Sequence, residues 1–564
     1  MCKKIVPSLT LILFAGLLAA CSSGIKPLAT NYVKATPQPL VLTANKVPVT
    51  INATFSENWF NKKASIMVTP VLRYDGGEAW GTSYTYQGEK VAGNGIVIPQ
   101  KSGANVTMTS NFDYVPDMQN SELYLTFSVD VSGKTVDLPE IKIGEGVLAT
   151  AALMNVKAES PAIAPDKFQR IIQEAYDADI MFLIQQAELR SSELRKSSLA
   201  DWKKTVKNAD DAENQNVTVE ISAYASPDGG YELNEKLAEK REKNTDKYLK
   251  QELKNANVNT PVYARYTAQD WDGFKQLVEK SNIQDKELIL SVLSMYKDPE
   301  QREREIKNIS SVFSVLADEI LPQLRRSRLT ANVEIIGKSD EEIMNLVDNN
   351  PKALSVEELL YAATLTNNPL IKESIYKKTA ERFPTDYRAF NNLGTLAYQS
   401  GNIAAAETYF NKALNMSGNS PEVNLNMGYI ALVNDNKAKA EEYFGKASGI
   451  QELNNAMGLL QISEGNYSQA AASFGNNATN NAALAQLLSK DYNKATATLS
   501  AIANPDATTS YLKAVVGART NNLNAVVSNL REAIKQNPTL AQQAATDLEF
   551  AKYRTNSDFS RLVR

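Results

Sequence analysis

The second half of this chain repeats itself. Asn392-Leu393-Gly394-Thr395-Leu396-Ala397-Tyr398 recurs 34 residues later as Asn426-Met427-Gly428-Tyr429-Ile430-Ala431-Leu432. At the same offset Ala406-Glu407-Thr408-Tyr409-Phe410 recurs as Ala440-Glu441-Glu442-Tyr443-Phe444, and Ala413 as Ala447. Gly458 and Phe474 carry the pattern on 30 residues later, and Tyr492, Ala495, Leu499, Gly517, Ala525 and Ala533 extend it. A fixed offset of this length marks a stacked supersecondary unit. Small residues at constant phase let the two helices of each unit pack closely. No single unit buries its apolar face alone, so the stretch folds as an array with a concave groove. A helix pair at 359–383 is expected to begin it, which places the array at 350–564.

This register is similar to that of the tetratricopeptide (TPR) repeat. The resemblance implies an α-helical solenoid whose groove holds a protein or peptide partner. Asn391, Asn392, Asn424 and Asn426 share the phase that lines the concave face. Their amides carry both donors and an acceptor, so they can bond a peptide backbone.

The middle of the chain imposes a second constraint. Val217, Val219 and Ile221 alternate with Thr218, Glu220 and Ser222, the period of a half-buried strand. Ser226-Pro227-Asp228-Gly229-Gly230 breaks the strand with turn chemistry. A helix follows, in which Leu233, Leu237, Arg241, Thr245 and Tyr248 share one face. Arg241 therefore belongs to the less polar stripe. Around this core, strands are expected at 179–184, 262–267 and 329–336. A Leu-containing turn is expected at 187–194 and then a helix through Trp202; a further helix is expected at 271–278, with two more in 284–321 split at Asp298-Pro299. The sum is an α+β domain at 160–340.

The strand, turn and helix resemble the peptidoglycan-binding domain of the OmpA family. The family pattern of Asn, Leu three residues on and Arg four further reads here as Asn234, Leu237 and Arg241. The resemblance implies that a turn carboxylate and this Arg grip the zwitterionic end of diaminopimelate in the cell wall. A guanidinium forks onto a carboxylate, and a carboxylate takes an ammonium. Ser226 stands where the family has Asp; Asp228, two residues on, is placed to supply the charge instead. Ser226 or Asp228 is equally suited to cap the helix. The family often carries an Arg pair before its last strand. Arg325 or Arg326 would then line the same site, or form a solvated basic cluster at a helix C-terminus. The Ser-Pro-acid-Gly turn resembles the version found in Bacteroidetes outer-membrane proteins.

At the N-terminus, Lys3 and Lys4 precede an apolar run at 9–20 that is too short to span a membrane. Leu18-Ala19-Ala20-Cys21 resembles the lipobox of bacterial lipoproteins. The resemblance implies removal of 1–20 as a signal peptide and lipidation of Cys21, and more than one acyl chain makes anchoring stable. Ser22 after the Cys implies the outer membrane, and the lack of any acid before Glu57 in the mature chain implies its periplasmic face. Residues 21–40, with Pro27, Pro37 and Pro39, are expected to be a tether.

Residues 41–150 read as strands punctuated by Gly, Asn and Pro. Val47, Val49, Ile51, Ala53 and Phe55 alternate with polar residues, and Pro48 marks an edge strand or a strand start. Leu123, Leu125 and Phe127 share a face in a further run. An antiparallel β-sandwich of the immunoglobulin kind is expected, with Trp59, Phe60 and Trp80 as core or edge packing.

The expected fold is therefore multidomain: an N-terminal β-sandwich, a central α+β OmpA-like domain and a C-terminal α-helical TPR solenoid. The 564 residues contain no histidine, and Cys2 and Cys21 are the only cysteines. Histidine catalysis, His-ligated metals and a disulfide within the mature fold are excluded. No metal, cofactor or enzymatic activity is expected. A net charge of −4 argues against a nucleic-acid partner. The expected function is an envelope scaffold joining the outer membrane to peptidoglycan through the central domain and to a protein partner through the repeats. The alternative, to which Ser226 points, is an accessory lipoprotein of an outer-membrane secretion or fimbrial assembly with no direct wall binding.

Overall fold

Every second residue between 47 and 55 is buried, and this alternation organises the first part of the molecule. The computed structural model describes residues 27–564 apart from 284, 285 and 309; the stretch read as a signal peptide and Cys21 lie outside them. Two units result, one holding the chain up to Pro165 together with Tyr376–Arg564, the other Asp166–Ile375.

The first unit opens with β1 (Val33–Thr36), β2 (Leu40–Val41), β3 (Lys46–Phe55), β4 (Ala64–Tyr74), β5 (Gly77–Trp80), β6 (Tyr84–Gly88), β7 (Ile96–Ile98), β8 (Ala104–Asp113), β9 (Ser121–Val131), β10 (Lys134–Glu145) and β11 (Val147–Leu148). One sheet runs β1-β3-β8, and another runs β10-β9-β4-β6-β7 with β5 on β4. Val47, Val49, Ile51 and Phe55 meet Ile66, Leu123, Leu125 and Phe127 in one core. Trp59 and Phe60 pack on Phe55, whereas Trp80 is 60% exposed. Three expectations are corrected here. The stretch read as a tether already contains β1, paired with β3, and Leu28, Ala35 and Leu40 are buried. β3 is a central strand; β1 reaches only Thr50 to Ala53, so Pro48 faces β8 alone and its missing N–H costs no ladder bond there. The sheets are not purely antiparallel, because β6–β7 and β2–β11 are parallel pairs.

The helical part of this unit stacks pairs. The first helices are Tyr387–Gln399, Pro421–Val433, Leu453–Ser463, Asn480–Leu488 and Ala507–Arg519; the second are Ile403–Met416, Lys437–Gly445, Tyr467–Phe474, Tyr492–Ala501 and Leu523–Gln536. The repeated glycines explain the close packing. A Cβ on Gly394, Gly428 or Gly458 would stand 2.5, 2.2 or 2.5 Å from the ring of Phe410, Phe444 or Phe474. No side chain fits where the aromatic of the second helix crosses the first. Asn402, Asn436, Asp491 and Asn522 cap four of the second helices through side-chain oxygens. The array was expected to begin at 350, but helix Val356–Ala362 lies in the other unit.

The second unit is a sheet of order β12-β15-β13-β14, with β12 (Ile171–Met181), β13 (Gln215–Tyr224), β14 (Val262–Thr267) and β15 (Arg326–Ile336). Helices Ser197–Asp210 and Tyr231–Asn255 cover one face, where Leu199, Trp202, Val206 and Leu249 meet Ile180, Val219, Ile221 and Leu329. A smaller core around Phe274, Ile289, Ile306 and Leu316 holds the helices between Trp271 and Leu324. Two local expectations fail. The strand placed at 179–184 starts at Ile171 and ends at Met181, leaving Leu183 and Ile184 exposed. The two helices placed in 284–321 do divide at Asp298-Pro299: Lys286–Met295 lies before it, and Pro299–Asn308 and Ser310–Val315 lie after it, leading into a π-turn at Leu316–Ile320. Leu233 is 55% exposed; the buried stripe of its helix keeps Arg241 and Thr245 but takes Asn234, Ala238 and Leu249 in place of Leu233, Leu237 and Tyr248, and goes on to Leu253.

Candidate functional site

Two polar clusters collect the residues singled out in the sequence. In the second unit, β13 delivers the chain to the turn and helix Tyr231–Asn255 leaves it. The Asn234 amide donates to the Ser226 and Gly229 carbonyls at 3.0 and 2.8 Å and so fixes the turn. The Ser226 hydroxyl donates to the Asp228 carboxylate. Arg325 pairs with Asp228 at 3.1 Å and reaches the Ser226 hydroxyl at 3.3 Å, while Lys307 donates to the Asp228 carbonyl at 3.2 Å. Ser226, Asp228, Asn234 and Arg325 are thus brought together. Neither Ser226 nor Asp228 caps the helix, whose N-cap is Gly230. Nor are Arg325 and Arg326 a solvated cluster: their side chains are mostly buried.

Arg241 has a different task. It is 0% exposed. Its Nε, Nη1 and Nη2 donate to the carbonyls of Gln186, Tyr224 and Leu183 at 2.9, 2.8 and 3.2 Å, and the guanidinium lies over Phe182 at 4.9 Å. Burial, helped by the Arg325 charge and opposed by Asp228, pushes its pKa down to about 10. Gripping a carboxylate requires an open guanidinium edge, and here the group is enclosed and spent on main-chain oxygens. Arg326 goes elsewhere again, to Asp270 at 3.0 Å and the Gln323 carbonyl at 2.9 Å, over the ring of Tyr224. Asp270 was not foreseen; it also caps helix Trp271–Lys280.

The second cluster is the groove of the array, and it is filled. After β11 the chain continues along the first helices of the repeats until Pro165. Asn481 accepts from the Asn155 N–H and donates to its C=O, both at 2.9 Å. Asn426 does the same to Ala162 at 2.7 and 2.8 Å. Asn392 does it to Ala164 at 2.8 and 3.0 Å. Asn391 and Thr395 add donors to the Ala162 carbonyl at 3.0 and 3.1 Å, and the Tyr398 hydroxyl donates to the Val156 carbonyl at 3.0 Å. Asn391 also accepts from Asn426 at 2.9 Å, so the amides brace one another. Asn424 takes no part in this: it donates to the Gly418 and Ser420 carbonyls and closes the start of its own helix.

One side chain of the segment is held as well. The Glu159 carboxylate, buried, accepts from Asn481 at 2.9 Å and Asn455 at 3.2 Å. Burial holds its carboxyl above the ordinary range, against the two amides. Thr395, Tyr398, Asn455 and Asn481 were missed in the sequence. A signal for Asn481 existed: it stands two residues before Ala483, as Asn392 and Asn426 stand two before Gly394 and Gly428.

Comparison with known proteins agrees with the helical part. A tetratricopeptide-repeat family model matches residues 387–420, the first helix pair of the array. Among solved structures, a tetratricopeptide repeat protein from Parabacteroides merdae is 14% identical, over 35% of this chain and 85% of its own, at a TM-score of 0.28. The pilF protein of Pseudomonas aeruginosa is 15% identical over 39% and 100%, at 0.29. YrrB, described as a TPR protein with an unusual peptide-binding site, is 17% identical over 36% and 94%, at 0.21. No curated protein matches the chain. The chain thus carries a TPR repeat, a module of protein interaction, beside a β-rich N-terminal region.

Proposed function

We propose that this chain is a non-enzymatic scaffold of the bacterial envelope that holds polypeptide. The observation that carries this reading is the row of asparagines, each bonding both main-chain groups of one residue of the segment 155–165. Such a row recognises chain, not a reacting group. The lipobox-like Leu18-Ala19-Ala20-Cys21 supports a lipid anchor at Cys21, in the outer membrane and on its periplasmic face.

The central unit we take as an OmpA-like fold reused for protein contact, as in an accessory lipoprotein of an outer-membrane secretion or fimbrial assembly. Support comes from Ser226 in place of the family Asp and from Arg241, whose nitrogens already serve three carbonyls. Co-sedimentation with purified sacculi tests this: the chain from Ser22 should stay in the supernatant at low salt. Photo-cross-linkers at exposed array positions such as Met416, installed in cells, should yield adducts with an envelope protein. A complete absence of adducts around the array would sink the scaffold reading.

Direct attachment to peptidoglycan is the second reading. It is favoured by a cleft of about 260 Å³ lined by Lys280, Arg326, Arg328 and Asp179, charges of both signs that suit a zwitterion. Pelleting with sacculi that Arg328→Ala abolishes would install it in place of the first.

A further inference from the structure

The segment in the groove is read almost entirely through its backbone. It runs from helix Asn480–Leu488 at Asn155 back to helix Tyr387–Gln399 at Ala164, against the order of the repeats. Three asparagines satisfy the N–H and C=O of Asn155, Ala162 and Ala164, as a neighbouring strand would. Side chains are tested at few points. Ala162 and Ala164 are 2% and 1% exposed, so nothing larger fits, while Ile163 between them is 43% exposed. Glu159, three residues before Ala162, is the polar side chain that the groove grasps.

None of these requirements depends on the occupant being covalently attached. We propose that the groove is a peptide site closed in cis by residues 155–165. Its ligand in trans is an extended polypeptide segment with small residues at two alternating positions and a carboxylate three residues before the first. This rests on the reading of the array as a module that holds protein. The tethered segment acts as an intramolecular competitor at an effective concentration on the order of millimolar. A foreign segment therefore enters only when it binds better or when the resident is withdrawn. The resident is suited to exchange. Apart from Val156, which joins the core of the array at one end, its most tightly enclosed side chains are small, so it buries little apolar area from Ala162 to Ala164. Its buried carboxylate is met by neutral amides, with no cation paired to it among the described residues, which leaves desolvation only partly offset.

Fluorescence polarisation with a labelled synthetic peptide of residues 153–166 tests this on the whole chain. The variant Ala162→Glu/Ala164→Glu drives the resident out by placing two charges where only methyls fit. It should bind the peptide at least about tenfold more tightly than wild type. Adding Asn426→Ala should remove that gain, and a peptide carrying Ala162→Trp should not bind. A double variant that melts cooperatively with wild-type circular dichroism, yet binds no better than wild type, overturns the proposal.

Should the double variant fail to fold, hydrogen exchange on wild type decides. Amides of Ala162 and Ala164 that exchange ahead of those in helix Pro421–Val433 show the segment leaving an intact array. Exchange only together with that helix makes the segment a fixed strut, and the proposal falls. A concentration-dependent dimer of wild type that the double variant abolishes would mean exchange between copies, which also overturns it. Adducts formed by cross-linkers outside the groove are unaffected by any of these outcomes, so failure here is separable from failure of the scaffold reading.

Discussion

The asparagine row and the arginine cluster pose the same question and answer it differently. Both consist of residues whose chemistry suits a ligand, and both are bonded to the chain's own backbone. Arg241 serves carbonyls 17 to 58 positions away, in the strand end and loop that form its own domain. Removing those carbonyls would mean unfolding the domain. Asn426 serves a residue 264 positions away in a segment whose regular structure is one 3₁₀ turn at Val156–Ala158, joined to the array largely by side-chain amides. That segment can be imagined elsewhere with both the sheets and the array intact. Burial and hydrogen bonding are alike in the two places. What separates a strut from a socket is whether the bonded backbone can leave.

The largest effect that would sharpen this contrast is at Arg241. Arg241→Met keeps the stem but leaves three partly buried carbonyls without their donor, at roughly 1 kcal/mol each. Denaturant unfolding should show the second unit destabilised by about 3 kcal/mol, with no effect on peptide binding by the array. A loss under about 1 kcal/mol would mean that those carbonyls find other partners and that the cluster is more plastic than its burial suggests.

Asn426→Ala comes next. It removes both bonds to Ala162 and the bond to Asn391, at a cost of about 2–3 kcal/mol in the first unit. Asn424→Ala, which touches only its own helix start, should cost about 1 kcal/mol. Equal losses at the two positions, measured by the same denaturant titration, would break the idea that the row draws its worth from the segment.

Gly428 links the row to the packing beneath it. A Cβ there would stand 2.2 Å from the Phe444 ring, so Gly428→Ala should cost about 1–3 kcal/mol by overpacking. Trimming the ring with Phe444→Leu should recover part of it, whereas Gly445→Ala, with open space around it, should be close to neutral or stabilising. A neutral Gly428→Ala would show that the helices of a pair can part without disturbing Asn426.

How far the sequence revealed all this depended on the range of the interactions. The Gly–Phe approaches are local to each repeat and recur, so 34-residue spacing made them legible at Gly394 and Gly428. Val217, Val219 and Ile221 were legible because one strand face is uniformly buried. The strand Val33–Thr36 was not, since four residues among prolines are too short to show a period. Ile171 to Asp177 are exposed in β12, so no alternation announced that strand's true start. Leu233 was misplaced because a helical stripe drawn from apolar residues alone overlooked Asn234, whose amide is buried to hold the turn. The groove's occupant was beyond reach. Ala162 and Ala164 carry no periodic signal, and their partners lie 228 and more positions away.

Glu159 gives the smallest and most diagnostic effect. Its carboxyl is raised when seated, chiefly by burial, so the seated segment holds its proton more tightly than a released one does. Seating is therefore strongest below the ordinary carboxylate range and weakens as pH rises through the raised value. Glu159→Gln keeps the shape and abolishes the titration; its oxygen accepts from Asn481, and Asn455 can turn its amide to accept from its nitrogen. The stability of the first unit in wild type should fall relative to Glu159→Gln as pH is brought up from acid to neutral. Arg241, whose pKa stays near 10, gives the second unit no comparable slope from acid to neutral pH. A difference between wild type and Glu159→Gln that is flat across that range would mean that the carboxylate is solvated in the groove, and the one charged contact distinguishing a socket from a strut would be gone.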